Sequence, residues 1–178
     1  CGNSLIGSDF YRGKQLELTE EEVYQINVFD WDKGFPDVFQ AENPGFDAVI
    51  GNPPYVSAWE MTSSSPTFRE YVNSGPHFKT ADRHWDLYIL FLEKGIELLK
   101  SYGRLGFIIP YSYAIQKYGR KSRQLIMSSN TLCSVADLRR VKVFDGVPVI
   151  TIIPIIQKCA PPSMHLIEVL REGFDSTP

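Results

Sequence analysis

The chain has 178 residues, 43% of them hydrophobic and 22% charged, with a formal net charge of -3. That is room for one domain with a core of its own, in a composition ordinary for a soluble globular protein. The negative balance excludes nucleic-acid binding through overall charge, so a DNA contact has to come from a local basic patch or from chain outside this segment.

Three cysteines, Cys1, Cys133 and Cys159, are an odd count at wide spacing. They suit neither a disulfide framework nor a zinc site, and they fit a reducing cytoplasm. The longest apolar runs, Leu105 to Pro110 and Val147 to Ile156, are too short to span a bilayer. The opening Cys1-Gly2-Asn3 lacks both a leader and a Met, which reads as a piece of a longer protein.

In chain order, the first forty residues are polar with isolated aromatics and give no clear strand. Phe46 to Gly51 is a short apolar run that reads as a buried strand. It stops abruptly at Pro53-Pro54, where two backbone donors are missing and φ is fixed. Residues 57–82, rich in Ser, Thr, Pro and Gly, read as a long loop. Residues 86–100 read as the strongest helix, with a stripe of Leu87, Leu90, Phe91, Ile96, Leu98 and Leu99. Asp86 is its expected cap, and Gly103 lies beyond its end. Leu105 to Pro110 reads as a second buried strand. Residues 116–129 form a weaker helix carrying Lys117, Arg120, Lys121 and Arg123. Residues 132–139 and 147–157 read as two more strands, and Pro154 inside the last argues for an edge position. This alternation predicts an α/β sheet with right-handed crossovers.

Asn52-Pro53-Pro54-Tyr55 carries the chemistry. Taken alone it reads equally well as a turn. Its place directly after a buried strand favours a site, because ligands of open α/β sheets lie beyond the carboxyl ends of the strands. The exocyclic nitrogen of adenine is a poor nucleophile, since its lone pair is delocalised into the ring. Acceptors on both of its N–H bonds favour a tetrahedral nitrogen with an available lone pair. The Asn52 side-chain oxygen and the Pro53 carbonyl supply two such acceptors on a stiff backbone. Tyr55 offers a face for a base extruded from the duplex.

The stretch from Phe46 to Tyr55 resembles the catalytic motif of N6-adenine DNA methyltransferases. More narrowly, it resembles the methylase region of type II restriction-modification enzymes that fuse cleavage and methylation in one chain. Asp86-Leu87-Tyr88 with Phe91 and Glu93, Leu98-Leu99, and Gly103 through Pro110 follow that family's next motifs in order and spacing. Phe144 through Lys158 resembles its last catalytic-domain strand, and Trp31 through Pro36 its lead-in to the catalytic strand. The resemblance covers about residues 1–158.

The resemblance implies an α/β fold of the Rossmann-like S-adenosylmethionine-dependent methyltransferase type, entered part-way along the sheet. The family's glycine-rich donor loop and ribose-binding acid belong upstream of Cys1; Gly2, Gly7 and Gly13 do not form that fingerprint. Asn3, Ser4 and Leu5 match the motif that touches the donor's adenine, where an acidic residue commonly stands at the position of Asn3. Asn52, Pro53, Pro54 and Tyr55 would be catalytic. Tyr55 and Phe144 would flank a flipped base of double-stranded DNA. Residues 1–160 would be catalytic domain and 161–178 the start of a following segment or tail. The implied protein is cytoplasmic, and the segment alone would be inactive for want of the donor loop.

Two other readings stay open. The same acceptors would serve a protein glutamine amide, and the segment could be a non-catalytic DNA-binding fragment. The basic residues of 116–129 read as a solvated face before they read as phosphate contacts. His77, His84 and His165 read as surface or loop residues without ligand spacing, so no metal site is expected. Trp31, Trp59 and Trp85 read as packing residues, with Trp59 near enough to the motif to approach DNA. Cys133 and Cys159 read as core thiols, and Asp86 and Glu93 as capping and surface residues.

Overall fold

A computed structural model describes residues 2–11, 19–75, 77–81, 84–146 and 148–171. Before the first strand come a 3-10 turn at Ser8–Tyr11 and helix α1 (Glu20–Ile26), then the single turns α2 (Trp31–Gly34) and α3 (Pro36–Phe39). A reciprocal box starts α1: Glu22 Oε2 accepts the Thr19 N–H at 2.8 Å while Thr19 Oγ1 accepts the Glu22 N–H at 3.3 Å.

The sheet holds β1 (Phe46–Gly51), β2 (Leu99–Phe107) continued by β3 (Ile109–Pro110), β4 (Thr131–Asp137), β5 (Thr151–Gln157) and β6 (Glu168–Arg171), in the order β1-β2-β5-β4-β6. β1 runs parallel to β2 and β4 parallel to β6, whereas β5 is antiparallel to both its neighbours. β5 therefore enters by a β4–β5 hairpin-like return, with no helix among the described residues between the two strands. The chain beyond residue 160 contributes β6 to the same sheet through Ser134–Glu168 to Asp137–Arg171 pairing.

Pro154 lies in a central strand, against the edge position expected for it. Its tolerance follows from the phase of the ladder. The Lys158 N–H donates to the Gly103 carbonyl, and the Tyr111 N–H to the Ile150 carbonyl. Alternate residues of β5 therefore turn their backbone groups towards β2 and β3, and Pro154 is one of them. It stands opposite the break between Phe107 and Ile109, so its missing donor coincides with the point where the ladder is split.

Helix α6 (Leu87–Leu98) is buried on more than one side. Tyr88, Ile89, Leu92 and Ile96 pack with Leu105, Phe107, Ile109, Ile152 and Ile156 on the sheet and with Ile126 of the helix at 120–129. Leu90 belongs to a second core with Leu5, Ile6, Phe10, Met61, Phe68, Val72 and Trp85. Each such buried aliphatic or aromatic side chain contributes roughly 1.5–3 kcal/mol. α6 stops at Leu98, earlier than expected, and β2 begins at once. The last carbonyls of α6 are met by a lysine from the end of β5, with Lys158 Nζ donating to Glu97 O at 2.8 Å and Leu99 O at 2.5 Å. Gly103 thus lies within β2 and is not a helix terminator. Gly45 enters β1 at φ +115°, where a Cβ would stand 2.5 Å from the Leu99 carbonyl carbon, so only glycine fits.

Residues 57–82 do not form the bare loop expected of them. They hold α4 (Met61–Ser64) and α5 (Pro66–Ser74), and they bury Met61, Phe68, Tyr71, Val72 and Phe78. Pro66 occupies the first turn of α5, where the absent N–H costs nothing. The weaker helix predicted over 116–129 narrows to α8 (Arg120–Ser129), preceded by α7 (Ser112–Ile115).

Candidate functional site

The Asn-Pro-Pro-Tyr segment closes β1 by a substitution of donors. In the parallel β1–β2 ladder the Ile108 N–H donates to the Gly51 carbonyl at 3.1 Å. The next rung would run from the N–H of residue 53 back to the Ile108 carbonyl. Pro53 has no N–H, and that carbonyl would be left orphaned. The Tyr55 hydroxyl fills the gap, donating to Ile108 O at 3.0 Å. The motif therefore ends its own strand and repairs the damage two residues later. The hydroxyl bond fixes one end of the Tyr55 ring, and Tyr88 meets that ring in a T-shaped contact at 6.1 Å. Partial burial raises the Tyr55 phenol above its ordinary pKa, so the phenol stays protonated and able to donate.

Asn52 lies at the carboxyl end of β1, exposed, with no side-chain hydrogen-bond partner among the described residues, while Pro53 is buried. Its amide is free to meet a ligand. Asn52, Pro53 and Pro54 line a cleft of about 230 Å³ together with Ser4, Trp31, Phe91 and Phe107. Pro54 also lines a larger cleft of about 520 Å³, bounded by Asn3, Ser4 and Leu5, α1, Phe68 of α5, Leu87 and Phe91. The structure thus brings the Asn3–Leu5 turn beside Asn52–Pro54. The turn is held by Asn3 Oδ1, which accepts the Leu5 N–H at 3.1 Å, and by Trp31 Nε1, which donates to the Ser4 carbonyl at 3.0 Å. Phe144 stands apart from both clefts. It is half-buried in the β4–β5 connection, without a ring contact among the described residues.

Several side chains differ from their sequence reading. Asp86 precedes α6 but makes no side-chain cap. It pairs through its backbone with Ser57, just after the motif, and burial raises its carboxyl despite the nearby hydroxyls of Tyr118 and Tyr88. Glu93 is buried rather than solvated. Its carboxylate accepts the N–H groups of Lys79 and Thr80 at 2.8 and 2.9 Å and the Thr80 hydroxyl at 2.5 Å, tying residues 79–80 to α6. Arg123 donates to the carbonyls of Tyr113 and Gln116, which favours a structural role over phosphate contact.

His77 stacks on Tyr71 at 3.8 Å rather than lying loose, and Cys133 and Cys159 are only half-buried. Trp31 and Trp85 pack as read, but Trp59 is 81% exposed. A hydroxyl chain from Tyr88 through Tyr118 to Ser112, at 3.2 and 3.0 Å, lies behind Tyr55 and gave no sequence signal. Among the described residues, no group of His, Cys, Asp and Glu is gathered to hold a metal, and no helix is long and apolar enough to cross a membrane.

This arrangement has counterparts in known proteins. The chain is 32% identical over 143 residues to the type II restriction enzyme and methyltransferase RM.Eco57I of Escherichia coli, an alignment covering 80% of this chain and 12% of that protein. It is 30% identical over 142 residues to the type II methyltransferase M.BstVI of Geobacillus stearothermophilus, covering 80% and 24%. The segment thus spans less than a quarter of the length of these relatives. Among solved structures, the type IIG restriction endonuclease BpuSI superposes with a TM-score of 0.50 at 23% identity, over 70% of this chain and 15% of that one. A Listeria monocytogenes protein described as a class I S-adenosylmethionine-dependent methyltransferase superposes with a TM-score of 0.51 at 19% identity, over 71% and 37%. These similarities give the fold: the open α/β sheet is that of the S-adenosylmethionine-dependent methyltransferases. The model of the Eco57I restriction-modification methylase family matches residues 3–144, and the chain belongs to that family.

Proposed function

We propose that this chain is the catalytic part of a restriction-modification methyltransferase that moves a methyl group from S-adenosylmethionine to adenine N6 in double-stranded DNA. The observation that carries the reading is the exposed, unpartnered Asn52 amide beside the Pro53 carbonyl, on a strand end that Tyr55 locks to Ile108. An amine seated there would donate one N–H to Asn52 Oδ1 and the other to the Pro53 carbonyl. Both acceptors are held before the substrate arrives, so their effect falls on the reacting nitrogen. On transfer the nitrogen would form its bond to the methyl carbon as the methyl–sulfur bond breaks, and it would release one proton to solvent. Tyr55 would stack on the flipped base; Phe144, apart from both clefts in the β4–β5 connection, would meet that base only from outside them.

The residues present fit the adenosyl end of the donor. The cleft of about 520 Å³ has apolar walls in Pro54, Leu87 and Phe91 and a polar turn at Asn3, Ser4 and Leu5. A bound donor would supply an electrophilic methyl group on sulfur. We assign residues 1–160 to the catalytic domain and 161–178 to the start of a following segment or tail, whose β6 extends the same sheet, in a cytoplasmic protein.

The test is incubation of the full-length protein with duplex DNA and S-adenosylmethionine, with mass spectrometry of the nucleosides as the readout. N6-methyladenine is the expected product. Label on cytosine, or on a protein glutamine in place of DNA, would overturn the reading.

A further inference from the structure

The turn after the Asn-Pro-Pro-Tyr segment holds a tryptophan for which packing has no use. Trp85 is 2% exposed and Trp31 stacks on Phe35 at 5.7 Å, but Trp59 is 81% exposed. Single exposed apolar side chains are common, so exposure alone carries nothing. The backbone beneath Trp59 sets it apart. Glu60 Oε2 accepts the Ser57 N–H at 2.7 Å and the Ser57 hydroxyl at 2.8 Å, and the Glu60 N–H returns a bond to Ser57 Oγ at 3.3 Å. The Ala58 N–H donates to the Trp85 carbonyl at 2.8 Å, and the Val56 carbonyl accepts the Leu87 N–H at 2.7 Å. Ala58 and Met61, on either side, are buried. The indole is thus carried on a fixed turn, close in sequence to Tyr55.

We propose that Trp59 is a DNA-contact residue whose ring stacks on a base left unstacked beside the extruded target. This rests on the DNA methyltransferase reading. Flipping one nucleotide breaks the stack on both sides of it, and a rigid aromatic face returns part of that cost. Residues 57–64 contain Glu60 and neither Lys nor Arg, so the turn offers nothing to a phosphate and its contact is with a base face. Because the backbone is already ordered, little conformational freedom is lost on binding.

The experiment uses the full-length protein, wild type, W59A and W59F, with a duplex that the wild type methylates. DNA affinity is measured by fluorescence anisotropy across a salt series, and donor affinity by calorimetry. W59A should weaken DNA binding about fivefold to a hundredfold. W59F should stay within about threefold, the salt slope should not change, and donor affinity should be unaltered. DNA affinity of W59A within about twofold of wild type would overturn the proposal, as would a salt slope reduced by about one, the mark of a lost phosphate contact. Loss of donor affinity alongside DNA affinity would also overturn it, since Trp59 would then be structural. Failure to find any duplex that the wild type methylates would instead remove the reading beneath the proposal.

Discussion

Replacing Tyr55 by Phe removes one oxygen atom and tests whether the motif repairs its own strand. The lost bond is the 3.0 Å contact to the Ile108 carbonyl, which Pro53 cannot satisfy. An unsatisfied buried carbonyl costs about 1–3 kcal/mol, and the low end applies here because Ile108 is only partly buried. About 1 kcal/mol of local stability corresponds to roughly a fivefold faster opening. The reporter is the Ile108 amide, bonded to Gly51 O at 3.1 Å on the preceding rung of the ladder. Hydrogen exchange of peptides spanning 104–110 in the full-length protein should lose about fivefold protection in Tyr55→Phe. Pro53→Ala restores an N–H aimed at the same carbonyl. Protection in Pro53→Ala/Tyr55→Phe should therefore exceed what the two single changes predict by addition. Unchanged exchange in Tyr55→Phe, or strict additivity in the double variant, would refute the donor-replacement argument.

Other substitutions read other parts of the account. Glu93→Ala leaves the Lys79 and Thr80 N–H groups without their acceptor, and it should destabilise the protein by about 3 kcal/mol and expose residues 77–81 to proteolysis; unchanged cleavage would contradict it. Asp137 is held at about 2 by hydrogen bonds from Arg139, with Arg171 adding to it. A lowered carboxyl stabilises above its unfolded pKa near 3.8 and loses that contribution as pH falls towards 2, so Asp137→Asn should be destabilising at pH 7 and progressively less so in acid. Equal destabilisation across that window, in denaturant titrations, would show that charge is not the cause. Lys158→Met should fray the end of α6, seen as faster exchange at residues 95–99, because the Glu97 and Leu99 carbonyls lose their donor.

The sequence was most legible where hydrophobic pattern and turn chemistry agreed. Phe46 to Gly51 is a strand ended by prolines, although it lies at the sheet edge with Ile50 84% exposed rather than buried as read, and the apolar face of α6 was visible from Leu87 to Leu98. It was least legible where composition misled. Residues 57–82 look like a loop because Ser, Thr and Pro dominate, yet Phe68, Tyr71 and Val72 recur at helical spacing behind Pro66 and bury one face. Glu93 reads as solvated only if α6 has a single apolar stripe. The helix packs on more than one side, so its carboxylate is enclosed and recruits backbone donors. Pro154 could not be placed from sequence, since its cost depends on which neighbour its nitrogen faces. In the site, Asn52 to Tyr55 and the Asn3–Leu5 turn were readable as motifs; the structure sets Asn52–Pro54 and the turn around adjoining clefts, while Tyr55 lines neither and packs against the core. The tie from Tyr55 to Ile108 needs the ladder register, and that is a property of two strands together.

The claim that Asn52 acts as a hydrogen-bond acceptor on the reacting amine is tested most directly by single-turnover methylation with Asn52→Ala and Asn52→Asp in the full-length protein. Removing a preorganised bond of this kind should slow Asn52→Ala by about 10²–10³ while DNA affinity stays near normal. Asn52→Asp keeps an acceptor oxygen at the same place and should run at least about tenfold faster than Asn52→Ala. A near-normal rate for Asn52→Ala, or an Asp variant no faster than the Ala variant, would contradict the account.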